Sequence, residues 1–199
     1  MHRFNVLRAL TSTAVIVAVF PAIAFGRSFE VSSQTVRANF TSIEFNGLAG
    51  NATCSLTLEG SFHARTIAKT SSALIGYINR ARLGACSSGA ATVLSATLPW
   101  HTRYASFTGT LPNITRLATT VIGAAWAIRE FGGITCLLRS TSSNPMRVEY
   151  GITGGAMLNA SIGGSIPTGG ECFGVTAELR SAIGIVHEGG VSTITIRLI

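Results

Sequence analysis

Glu59, Ser61 and His63 occupy alternate positions of one segment, so on a strand a carboxylate, a hydroxyl and an imidazole share a face. A carboxylate that orients an imidazole, which in turn takes a proton from a hydroxyl, is the arrangement of a hydrolytic site. Along one strand, however, positions i and i+4 lie about 13 Å apart, so Glu59 does not reach His63 directly. His101 follows Trp100, and Arg103 comes next on its face. Glu59, His63 and His101 form a candidate polar site only if neighbouring strands bring the two histidines together. The simpler reading is a solvated polar face.

Other chemistry is excluded by composition. Aspartate is absent, which removes Ser-His-Asp arrangements, EF-hand loops and aspartate pairs and leaves glutamate as the only carboxylate. The chain has no nucleophile elbow, no phosphate-binding glycine loop and no His-Glu-x-x-His sequence. No catalytic residue, metal ligand or cofactor-binding residue is assigned, and no cofactor is expected. Trp100, Tyr104, Phe107 and Trp126 could line a carbohydrate or peptide groove, but Trp100 and Tyr104 share a strand face, which points to the core.

The elements that carry these residues read as strands. Thr53 to His63 alternates strictly, with Cys54, Leu56, Leu58, Gly60 and Phe62 on the buried face. Met146 to Ile152 and Ser192 to Ile199 alternate in the same way. Val36 to Phe45 changes phase near Ser42, the mark of a bulge, and Trp100 to Phe107 does likewise. Ala124 to Arg129 and Ile134 to Arg139 read as a hairpin around a four-residue loop. Thr66 to Leu83 fits a helix or a pair of strands equally well. Recurring glycine-rich turns predict an all-β fold, an antiparallel sandwich or barrel.

The four cysteines, Cys54, Cys86, Cys136 and Cys172, lack the close spacing of metal ligands and read as disulfides. Cys54 with Cys86 and Cys136 with Cys172 is the expected pairing, because each closes a loop of similar length within one half of the chain. Gly50 to Leu56 and Gly132 to Leu138 share a faint pattern, which raises a pseudo-repeat of residues 25–112 and 113–199 within one domain, 25–199.

Residues 1–24 have the three-part build of a cleavable signal peptide. Arg3 and Arg8 precede an uncharged stretch from Ala9 to Phe20, followed by Pro21 and Ala22-Ile23-Ala24. Thr11, Ser12, Thr13 and Pro21 interrupt the run, which argues against a retained membrane span. The expected location is therefore secreted or cell envelope, with no integral membrane anchor after cleavage. Loss of Arg3 and Arg8 lowers the formal charge of +7 by two, to +5. The remaining arginines are scattered, with Arg80 and Arg82 the closest pair, so no nucleic-acid partner is expected. A content of 47% hydrophobic and 12% charged residues favours a folded core over disorder.

Ser55 to Ile78 (SLTLEGSFHARTIAKTSSALIGYI) and Leu98 to Thr115 (LPWHTRYASFTGTLPNIT) resemble stretches of small, β-rich, secreted proteins of GC-rich bacteria. That resemblance implies export and β structure and brings no activity or functional residue with it. The leading expectation is a non-enzymatic extracellular structural or binding module whose partner is a cell-envelope polymer or protein. A secreted hydrolase using Glu and His, and an outer-membrane β-barrel, are the alternatives.

Overall fold

Alternating apolar and polar residues give each strand one dry face, and the chain buries those faces by curling its sheet into a ring. The computed structural model describes residues 28–47, 50–87, 90–110, 112–129, 133–172, 176–188 and 192–199. The expected signal segment, 1–24, lies outside them, as do residues 130–132 of the expected hairpin loop.

The ring begins with β2 (Thr35–Gly47) and β3 (Gly50–Phe62), which follow a short β1 (Ser28–Val31). After β4 (Thr66–Ala68) come β5 (Leu74–Cys86), β6 (Ala90–Val93), β7 (Trp100–Thr110), β8 (Asn113–Ile122), β9 (Ala125–Arg129) and β10 (Thr135–Arg139). The remainder comprises β11 (Met146–Thr153), β12 (Ala156–Gly170), β13 (Thr176–Ser181), β14 (Gly184–His187) and β15 (Ile194–Leu198).

Antiparallel pairing runs β11-β8-β7-β5-β3-β2-β13-β12, and a further β11–β12 pairing closes it. β13 and β14 keep one register along β2, with Ser181 opposite Ile43 and Ile185 opposite Asn39, and act as a single interrupted strand. The result is an up-and-down barrel with eight strand positions, a size whose interior side chains can fill. Of the expected sandwich or barrel, the chain adopts the barrel.

Two smaller sheets extend the ring. β10, β9 and β6 continue from the far end of β12, where Cys136 lies opposite Gly170. β4, β1 and β15 join its near end, where Ala156 lies opposite Thr195. β8 gives way to β9 at Gly123, whose φ of +89° favours glycine. Ser140 holds that corner: its carbonyl accepts from Gly123 N–H, and its hydroxyl oxygen accepts from Ala124 N–H at 2.9 Å.

Inside, Trp100, Trp126, Leu56, Leu117, Met146 and Met157 are fully buried. Burial of each such side chain stabilises the fold by about 1.5–3 kcal/mol. Burial also pushes the Tyr150 hydroxyl up to about 12, against a smaller lowering by a hydrogen bond with Thr119, and raises Tyr104 in the same way.

The phase changes correspond to real bulges, between Phe40 and Ile43 and between Tyr104 and Ser106. Thr66 to Leu83 resolves into strands, but β4 pairs with β1 and not with β5. A turn at Thr70–Ala73, with Ser72 at φ +63°, separates the two. Both disulfides are present, Cys54–Cys86 between β3 and β5 and Cys136–Cys172 between β10 and the turn after β12. Such bonds persist in oxidising, extracytoplasmic surroundings. Among the described residues no helix is long and apolar enough to cross a membrane.

Candidate functional site

Because inward positions are filled by apolar side chains, the groups capable of polar chemistry stand on the outer wall. On β3 these are Glu59 and Ser61, with His63 just beyond the strand end. Gln34 fixes that end, donating from Nε2 to the carbonyls of Phe62 and His63. On β5, a shift in register between Glu59 and Gly60 makes Asn79 an extra residue, so Asn79 and Arg80 both face solvent.

Both carboxylate oxygens of Glu59 are taken by guanidinium groups. Arg80 Nη1 donates to Oε2 at 3.0 Å, and Arg37 of β2 lies 3.5 Å from Oε1. These residues and Asn79 line an open groove of about 470 Å³ across β2, β3 and β5.

His63 and His101 do not line that groove. β5 lies between their strands, and its Tyr77 stands between the two imidazoles, 4.6 Å from the ring centre of His63 and 5.3 Å from that of His101. The trio therefore divides: the histidines flank a tyrosine, while the glutamate pairs with arginines. No Glu–His pair forms among Glu59, His63 and His101 that could orient a base. Among the described residues, no group of three or more His, Cys or Glu side chains is placed to hold a metal ion.

A second polar constellation, absent from the sequence reading, lies on β14 and β2. His187 donates from Nδ1 to the carbonyl of Glu188 at 2.8 Å, which leaves Nε2 to accept from Asn39 Nδ2 at 2.8 Å. Asn39 Oδ1 accepts from Thr57 at 3.0 Å and from Arg37 Nε at 3.4 Å. Ser33 donates to the Glu188 carboxylate at 2.7 Å and not to the imidazole. Both imidazole nitrogens are thus engaged, and the hydroxyl is paired with an acid, so the cluster ties β14 to β2 without forming a nucleophile and base.

Neither Arg37, Tyr77 nor the His187 cluster was visible in the one-dimensional pattern. Alternation shows that a residue faces out, but the strand that will lie beside it is decided by register and closure. Trp100, Tyr104 and Trp126 are buried in the core, and Phe107 packs against it. Among the described residues the aromatic surface of the outer wall instead comes from Tyr77 and its two histidines. No protein-family model, curated protein or solved structure matches this chain.

Proposed function

We propose that the chain is a non-enzymatic, exported module of the cell envelope that acts by binding through the outside of its barrel. The observation that carries this reading is the division of labour between the faces. The interior is packed with Trp100, Trp126, Leu117 and Met157, whereas a groove and an aromatic row lie on the wall over β3 and β5. Disulfides that persist outside the cytoplasm support export, and the signal-like segment 1–24 supplies its route.

The hydrolase alternative loses support because Glu59 is engaged by Arg37 and Arg80 while His63 and His101 sit apart from it. An outer-membrane barrel needs a lipid-facing apolar band. Here the outward positions of β3, β5, β11 and β13 carry Glu59, Arg80, Arg82, Arg147, Glu149, Glu178 and Arg180, which argues against that alternative.

Fractionation of cells expressing the chain with its own amino-terminal segment tests the proposal. The expected product is shortened after Ala24, extracted from the envelope by salt without detergent, and oxidised at all four cysteines. Recovery as a reduced cytoplasmic protein, or solely in detergent extracts of membranes, contradicts it.

A further inference from the structure

The outer wall is unevenly charged. On the adjacent strands β3, β5 and β7 the outward charged side chains are Glu59, Arg80, Arg82 and Arg103, three cations to one anion. On β11, β12 and β13, which stand opposite in the ring, they are Arg147, Glu149, Glu178 and Arg180, two of each. There Glu149 pairs with Arg147 and with Arg116 of β8, and Glu178 pairs with Arg180.

The excess on the first wall is also less neutralised. Arg82 is exposed and has no ion pair among the described residues. Arg103 likewise has no ion pair among them, although its Nε is buried away from solvent. Arg37 reaches in from β2, so the groove at Glu59 has a guanidinium on each side.

Beside this cationic groove runs the row His63, Tyr77 and His101, and Asn79 links the two by donating to Ser61, the residue opposite Tyr77. Guanidinium forks recognise carboxylates. Aromatic rings cover the apolar faces of planar or ring-shaped groups. A lone carboxylate between two arginines still offers lone pairs to hydroxyl donors.

We propose that the β3–β5–β7 wall is a binding surface for an acidic polysaccharide, a chain of hydroxylated rings bearing carboxylates. Arg80 and Arg82 receive the carboxylates, Glu59 accepts sugar hydroxyls, and the Tyr77 row covers ring faces. This ligand class rests on the reading of the chain as a binding module. A bare polyanion uses the arginines but has no need of Tyr77, and that difference makes the assignment testable.

The experiment is calorimetric titration of the oxidised, exported chain with polygalacturonate, with dextran as a neutral control and duplex DNA as a second polyanion. Saturable binding to polygalacturonate and none to dextran is expected. Arg80→Gln weakens it about tenfold, as loss of a charged hydrogen bond does, and Tyr77→Ala about fivefold. Arg147→Gln on the opposite wall leaves it unchanged.

Arg82→Gln removes a guanidinium outside the Glu59 pairing and gives the same direction of change if Arg80→Gln disturbs folding. Equal affinity for DNA together with an unaffected Tyr77→Ala variant overturns the polysaccharide assignment in favour of non-specific charge. Absence of binding at low salt overturns it outright. If the chain nevertheless stays on isolated envelopes, the ligand class alone has failed; if it does not, the binding module has failed as well.

Discussion

Trp100 and Trp126 meet edge to face inside the barrel, with ring centres 5.2 Å apart. Trp100 lies where the 3-10 turn Ser95–Thr97 leads into β7, and its indole N–H donates to Thr97 Oγ1 at 2.9 Å. Trp126 sits on β9, so the pair joins the ring to the sheet that extends it. Trp126→Ala is expected to destabilise the chain by about 3–5 kcal/mol, and Trp126→Phe by less. Urea denaturation of both variants checks this; equal midpoints for wild type and Trp126→Ala would show that the indole is not a core element.

Close backbone approach makes a second test. A Cβ at Gly60 would meet the Tyr77 carbonyl oxygen at 2.3 Å, and one at Gly76 would meet the Ser61 carbonyl oxygen at 2.3 Å. Gly60→Ala is therefore expected to cost about 1–3 kcal/mol and to lower the thermal midpoint. Because Tyr77 adjoins that contact, the same variant should also weaken ligand binding.

The disulfides are structural in this account. Cys54 and Cys86 are separated by 32 residues, and Cys136 and Cys172 by 36. Closing either loop stabilises the fold by about 3–4 kcal/mol in the chain-entropy model. Dithiothreitol should lower the urea midpoint markedly, while a metal chelator should leave it in place. A midpoint sensitive to chelator and not to reductant would revive the zinc alternative.

Much of the barrel was legible in the sequence because burial on one face imposes alternation. Cys54, Leu56, Leu58 and Phe62 announce β3, and the phase change near Ser42 announces its bulge. Closure left no such signature. Nothing along the chain says that β2 finds β13 and β14 more than a hundred residues on, or that β4 leaves β5 for β1. The candidate site suffered from the same gap. Glu59, His63 and His101 are correctly outward, yet their partners Arg37, Arg80 and Tyr77 come from neighbouring strands, and those partners decide what the trio can do.

Alkaline pH should expose Tyr150. A tyrosine in an unfolded chain titrates near 10, whereas burial holds Tyr150 at about 12. Above about pH 10 the unfolded chain releases a proton that the folded chain keeps. The stabilisation is therefore complete below pH 10 and is lost as pH rises through 12, a change of order 2–3 kcal/mol. Tyr150→Phe should show a shallower loss of stability across that window, as measured by denaturation at stepped pH.

Glu59 separates the enzymatic from the binding account. As a half-buried partner in surface ion pairs it contributes about 0–1 kcal/mol, so Glu59→Gln should melt close to wild type. Glu59→Gln frees Arg37 and Arg80 for an external anion while its amide oxygen still accepts sugar hydroxyls, so affinity for polygalacturonate should rise. A fall in affinity would contradict the assignment of Arg80 to the ligand carboxylates.

The central claim is that one wall of the barrel holds the chain at the envelope. Co-sedimentation with isolated cell envelopes measures it most directly, comparing the native chain, an Arg80→Gln/Arg82→Gln double variant and Arg147→Gln. The account predicts that the native chain and Arg147→Gln sediment alike while the double variant stays in solution. Equal retention of all three, or retention of none, would contradict it.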